Sequence, residues 1–123
     1  MSIRVEAPGL LTTLQDLGRP GYQHLGVGAS GAMDPVSHRI ANLLAGNPPG
    51  AAALEITLAG PRLRFEDDAL VAVCGGDFDP RVEGLPVRRW RPVLVRAGAL
   101  LVFGGAVQGA RCYLAVAGGF QVP

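Results

Sequence analysis

Leu70-Val71-Ala72-Val73-Cys74-Gly75-Gly76 is a continuous apolar run, with β-branched Val71 and Val73, that stops on two glycines, and its reading decides the fold. A short run of this composition, bounded by turn signals, is a buried strand from Leu70 to Cys74. The same grammar returns in Leu100-Leu101-Val102-Phe103-Gly104-Gly105 and in Arg111-Cys112-Tyr113-Leu114-Ala115-Val116-Ala117-Gly118-Gly119. Glycine pairs at strand ends let the backbone bend sharply or approach a neighbour, as at barrel corners. Their spacings differ, so they do not form a sequence repeat.

Strand signals extend in both directions from this run. In Leu54-Glu55-Ile56-Thr57-Leu58 apolar and polar residues alternate with period two, which predicts a half-buried strand. Gly60-Pro61 turns the chain, Leu63 and Phe65 alternate with Arg62 and Arg64, and Glu66-Asp67-Asp68 reads as a solvated turn. Glu83-Gly84 is a hairpin-type turn between Phe78–Val82 and Pro86–Trp90, and Val93–Val95 follows. At the N-terminus, Ile3–Glu6 and Leu11–Gln15 are two strands broken by Pro8-Gly9, forming a hairpin or a bend. About eight or nine strands with one helix predict a mainly-β barrel or sandwich.

The exception lies between Gln15 and Asn47. Gln15-Asp16-Leu17-Gly18-Arg19-Pro20-Gly21 and Gly26-Val27-Gly28-Ala29-Ser30-Gly31-Ala32-Met33 form a glycine-dense stretch rich in polar side chains, the composition of a ligand-facing loop. A tight crossover needing positive backbone angles would use the same glycines. A helix over about residues 34–46 follows: Asp34 suits the N-cap, Pro35 the first helical position, and Gly46 a left-handed C-cap. Met33, Val36, Ile40, Leu43 and Leu44 fall on one face, which is expected to be buried, with His38, Arg39 and Asn42 turned toward solvent or a partner.

At 123 residues the chain has the length of one domain. Charged residues make up 17% against about 25% in an average chain, so part of the surface is expected to meet another protein. The net charge of +1 is spread rather than clustered, which argues against nucleic acid or an anionic membrane as partner. All 11 basic residues are Arg, which excludes a Schiff-base lysine, a phosphate-loop lysine and a low-pKa lysine base. Cys74 and Cys112 sit inside apolar runs and read as packed free thiols rather than nucleophiles. Neither a signal-peptide core nor a run of membrane-spanning length is present, so the expected location is cytoplasmic. Gly26-Val27-Gly28 is no dinucleotide fingerprint, and no Walker-type loop is present.

Gln15-Asp16-Leu17-Gly18-Arg19, Gly26-Val27, Ser30-Gly31-Ala32-Met33-Asp34, Ala41-Asn42, Gly46-Asn47, Leu54-Glu55 and Gly60-Pro61, in this order, resemble the N-terminal part of the allophanate hydrolase subunit 2 family. That family is also described as the carboxyltransferase subdomain of urea carboxylase, as the C component of 5-oxoprolinase, and as the antagonist of a sporulation kinase inhibitor. The resemblance covers essentially the whole chain, although relatives show Gly-Ala-Asp where this chain has Gly75-Gly76-Asp77 and continue past the position of Pro123. It implies a cyclophilin-like β-barrel and an enzyme component that works with an allophanate hydrolase subunit 1-type protein, similar to the B component of 5-oxoprolinase. It also implies, as further partners, a lactam-utilisation protein or a biotin carboxylase and carrier. The substrate would be a small amide, urea or 5-oxoproline; ATP or carboxybiotin belongs to the assembled complex, with no cofactor bound by this chain directly. The alternatives are a regulatory protein that antagonises a kinase inhibitor, or an incomplete piece inactive by itself.

The chemistry of such reactions can be laid on the residues. An amide oxygen gains negative charge when its nitrogen is deprotonated or the oxygen is phosphorylated, so cationic and N–H donors are needed near it. Arg19 and the Ser30-Gly31-Ala32 backbone are candidates for that role, and Asp16, Asp34 and Glu55 are candidate catalytic carboxylates. Gln15, His24, Ser30, Gly31, Asn42 and Asp77 are candidates for holding substrate. Each acid has a plainer reading: Asp16 as turn former, Asp34 as helix cap, Glu55 as an outward strand residue, Asp77 as strand-end cap.

Overall fold

The computed structural model describes residues 2–9, 11–16 and 32–120. In chain order the elements are β1 (Ile3–Ala7), β2 (Leu11–Gln15), α1 (Pro35–Leu44), β3 (Ala53–Thr57), β4 (Arg62–Phe65), β5 (Ala69–Asp77), β6 (Arg81–Val82), β7 (Leu85–Pro86), β8 (Pro92–Val95), β9 (Leu100–Val102) and β10 (Gln108–Val116). They form two antiparallel five-stranded sheets, the first in the order β1-β4-β9-β6-β7 and the second in the order β2-β3-β10-β5-β8.

The alternation of the central strands builds three layers. In β10, Cys112, Leu114 and Val116 enter a core that also takes Val71 and Val73 of β5, Leu63 and Phe65 of β4, and Leu101 of β9. The first and second sheets therefore pack face to face. Tyr113 and Ala115, with Ala72, Cys74 and Ala53, point to the opposite face of the second sheet, where they meet Ala41 of α1 and its C-cap Ala45. Burying each large side chain of the inter-sheet core contributes about 1.5–3 kcal/mol.

Two expectations about the fold are overturned. The cyclophilin-like β-barrel is absent among the described residues: the arrangement is mixed α/β, and both sheets are open, because no ladder joins β1 to β7 or β2 to β8. The edge strands are suited to ending a sheet: β7 is only two residues long and ends on Pro86, and β8 begins on Pro92, each proline removing one backbone donor. Of the two readings of β1 and β2, a hairpin or a bend, the bend holds. β1 pairs with β4 and β2 with β3, so the chain bends from one sheet into the other.

The second correction concerns which side of α1 is buried. Ser37, His38, Ala41, Asn42 and Ala45 face the sheet, whereas Met33, Val36 and Leu43 are 60%, 66% and 56% exposed; Ile40 and Leu44 of the expected stripe are partly buried against this core, and Arg39 is exposed as expected. The sheet face beneath the helix is paved with alanines, so small helix residues approach closely. The polar members of the buried stripe find carbonyl partners: Asn42 Nδ2 donates to the backbone oxygens of Ala51 (2.7 Å) and Pro49 (3.3 Å). The helix ends match expectation. Asp34 caps the first turn by accepting from Ser37 N, Pro35 stands at the first position, and Gly46 follows with φ +83°. The Glu83-Gly84 turn joins β6 to β7 with both residues at positive φ, as a tight hairpin requires.

The first of the glycine pairs works by close approach. A Cβ on Gly75, whose φ is +94°, would lie 2.7 Å from the carbonyl oxygen of Arg111. The β5–β10 ladder is irregular between Gln108 and Cys112, where β10 bulges past the glycines.

Candidate functional site

Glu55 stands at the centre of β3, on the helix-facing side of the second sheet, and is 7% exposed. Its Oε2 accepts two hydrogen bonds, from the Tyr113 hydroxyl at 2.6 Å and from the backbone N–H of Met33 at 2.8 Å. The Tyr113 oxygen in turn accepts from the Asp34 N–H at 2.8 Å. Glu55 and Tyr113 are register partners in the β3–β10 ladder, so the two side chains meet directly across the sheet. Burial, followed by the hydrogen bond to Glu55, pushes the Tyr113 hydroxyl upward from its ordinary pKa, so it remains a proton donor.

The second carboxylate oxygen faces a cation. Arg111 lies two residues before Tyr113 on the same side of β10, and its Nε is 3.9 Å from Glu55 Oε1. That separation exceeds a hydrogen bond, and Arg111 Nε is buried with no hydrogen-bond partner. A buried donor thus stands beside the Glu55 carboxylate without a hydrogen bond to it. A buried N–H left unpaired costs about 1–3 kcal/mol, which a ligand oxygen would recover.

His38 and the end of β2 complete the surroundings. A carbonyl can only accept, so the 2.9 Å contact between His38 Nε2 and Gln15 O places the imidazole proton on Nε2. His38 Nδ1 is buried without a partner, and the ring packs edge-on against Tyr113 at 5.9 Å and 85°. The Ala32 N–H donates to the Asp16 carbonyl at 2.9 Å. Residues 15–16 and 32–34 therefore meet beside Glu55.

The structure thus gathers Gln15, Asp16, Asp34 and Glu55 of the candidate residues into one neighbourhood, though in different capacities. Gln15 and Asp16 contribute carbonyls, and the Gln15 side chain donates to Thr13 Oγ1 at 3.2 Å. Asp34 uses both carboxylate oxygens on Ser37, at 3.1 Å to its N–H and 2.6 Å to its hydroxyl. Asn42 is scaffold-bound, as its carbonyl contacts show, and Asn47 Nδ2 donates to it (3.3 Å) and to the Val116 carbonyl (2.8 Å). Asp77 belongs to a separate group at the end of β5, where it accepts from Asp79 N and lies 3.7 Å from Arg89 Nε. Arg19, His24, Ser30 and Gly31 lie outside the described residues.

Arg111, Tyr113 and His38 were not legible as site residues. Alternation in β10 puts Arg111 and Tyr113 on one face, a polar start to an otherwise apolar strand, which is the only sequence signal that marks them.

Comparisons with known proteins agree on one family. The sequence model described as carboxyltransferase domain, subdomain A and B, matches residues 25–123. The chain is 40% identical over 123 residues to a urea amidolyase from Lachancea kluyveri, covering 99% of this chain and 7% of that protein. It is 41% identical over 122 residues to the C component of 5-oxoprolinase from Escherichia coli, covering 98% of this chain and 39% of that protein. Among solved structures, the Kluyveromyces lactis urea carboxylase superposes with a TM-score of 0.91 at 41% identity, over 98% of this chain and 11% of that one. The chain therefore spans well under half the length of these relatives. With matched residues reaching across most of its length and the same fold in the solved relative, the chain belongs to the carboxyltransferase-domain family, subdomain A and B.

Proposed function

We infer that this chain is one component of a multi-component amide-processing enzyme, of the kind found in urea carboxylase-type carboxyltransferases or as the C component of 5-oxoprolinase. Its partner in this reading is an allophanate hydrolase subunit 1-type protein. The observation that carries the reading is Arg111 Nε, a buried donor without a hydrogen-bond partner, 3.9 Å from Oε1 of the Glu55 carboxylate on the second sheet. An amide presents an oxygen and an N–H on neighbouring atoms, the complement of that pair. As the amide nitrogen loses its proton, or as the oxygen is phosphorylated, charge grows on oxygen, and a guanidinium placed there stabilises it. The carboxylate opposite accepts the N–H and orients or removes its proton.

Co-expression with an allophanate hydrolase subunit 1-type protein, followed by assays with urea plus carboxybiotin and with 5-oxoproline plus ATP, tests this reading. The two proteins are expected to co-purify and the assembly to turn over one of the substrates. Folded proteins that run separately at micromolar concentration, with both assays at background, would contradict it. Binding to a kinase inhibitor protein in place of turnover would instead support the regulatory alternative.

A further inference from the structure

Resting on the amide-processing reading, we propose that Tyr113 is a positioning residue: its hydroxyl sets the Glu55 carboxylate and, through the same oxygen, fixes the chain at Met33 and Asp34 against the second sheet. Three groups close a small circuit. The Tyr113 O–H donates to Glu55 Oε2, that oxygen accepts from the Met33 N–H, and the Tyr113 oxygen accepts from the next N–H along, that of Asp34. Two covalently adjacent backbone donors are thus held by two oxygens that are themselves hydrogen-bonded, and no member can shift without breaking the others. The ring supporting the hydroxyl is fully buried, wedged by the edge of His38 and packed among Cys74, Ala115 and Ala53.

The consequence falls on Glu55. Oε2 is saturated by its two donors, so Oε1 is the oxygen left to face Arg111 and any bound amide. A Phe in place of Tyr113 fills the same space yet releases both ends: Glu55 keeps only the Met33 N–H, and the Asp34 N–H loses its acceptor. Shape alone does not need the hydroxyl.

The experiment is Tyr113→Phe, examined by amide hydrogen exchange on the folded chain and by steady-state kinetics on the assembled enzyme. Exchange at Met33 and Asp34 is expected to quicken about tenfold or more while Leu114 in β10 keeps its protection. In the assembly kcat is expected to fall about tenfold with KM within about threefold, because positioning is lost and binding surface is not. In a Glu55→Gln background the same change is expected to cost under about twofold, since Tyr113 acts through the carboxylate. Unchanged exchange at Met33 and Asp34, or rate losses that simply multiply in the double variant, would overturn the proposal. If the wild-type assembly turns over neither substrate, the functional reading falls, and the exchange measurement still decides whether Tyr113 holds this junction.

Discussion

Changing Glu55 to Gln and to Ala separates the two things this side chain does. In Glu55→Gln the amide oxygen can occupy the Oε2 position and still accept from Tyr113 O–H and Met33 N–H, while the NH2 group takes the Oε1 position opposite Arg111 Nε. Hydrogen bonds to a charged acceptor contribute about 1.5–3 kcal/mol and those to a neutral one about 0.5–1.5, so two bonds weaken by about 2 kcal/mol together. The neutral group also avoids the cost of burying a charge, which leaves a net loss of about 1 kcal/mol. Glu55→Ala removes the acceptor entirely, strands the buried Tyr113 hydroxyl at about 1–3 kcal/mol and loses the part-buried Met33 N–H bond at about 1 kcal/mol, a loss of about 2–4 kcal/mol. In a chain of this size 1 kcal/mol moves the melting temperature by about 3–5 °C, so the Gln variant should melt about 3–5 °C low and the Ala variant about 8 °C low or more. Turnover in the assembled enzyme should nevertheless fall more than about tenfold in both, because the Gln variant turns a donor toward Arg111 where an acceptor belongs. Thermal and urea denaturation, run beside a turnover assay, read both effects. A Glu55→Ala variant that melts within about 2 °C of wild type would refute the assignment of Glu55 as the post to which Tyr113 and Met33 are tied.

Further outcomes follow from other parts of the structure. His38→Ala removes the hydrogen bond to Gln15 O and leaves a void beside Tyr113, and should cost about 2–4 kcal/mol by urea denaturation; a loss under about 0.5 kcal/mol would deny His38 this role. Gly75→Ala and Gly46→Ala both put a side chain at positive φ, but only Gly75 has a carbonyl 2.7 Å from the new Cβ. The first should therefore be destabilised well beyond the second, which is expected to lose about 1 kcal/mol, and equal melting temperatures would contradict the close approach. Burial raises Cys74 from 9.0 to about 11 and Cys112 to about 12, so neither should react with a thiol reagent at pH 8 until the chain unfolds. Above about pH 9 the unfolded chain loses thiol protons that the native state keeps, so stability should decline as pH rises from 9 toward 11; a flat profile would argue that these thiols are solvated.

Local structure was largely legible in the sequence, and the features decided by distant partners were not. Asp34, Pro35 and Gly46 marked the helix because capping depends on neighbours a few residues away, and Glu83-Gly84 marked its hairpin for the same reason. The buried face of α1 was misread because periodicity reports where the large apolar residues lie, not which surface waits beneath them. Ala53, Ala72 and Ala115 offer a shallow floor, and the carbonyls of Gln15, Pro49 and Ala51 make His38 and Asn42 acceptable there. Closure into a barrel was similarly beyond reach, since alternation specifies a strand's two faces and says nothing about what its edge meets. Glu55 was named as a candidate acid, but its burial was not evident, because its polar-out alternation is undone by the helix lying over that side of the sheet. Arg111 acquires meaning only through the β3–β10 register, which brings it beside Glu55.

The most direct test of the central claim is the turnover of the assembly formed with an allophanate hydrolase subunit 1-type protein, measured for wild type and Arg111→Leu side by side. Leu retains most of the buried aliphatic volume and leaves Tyr113 and Met33 on Glu55, so co-purification and melting temperature should hold. The account predicts that kcat/KM drops by more than about tenfold, a loss of about 1.4 kcal/mol or more in transition-state stabilisation. An Arg111→Leu assembly that turns over urea or 5-oxoproline at the wild-type rate would show that the Arg111–Glu55 pair is not where the amide is handled.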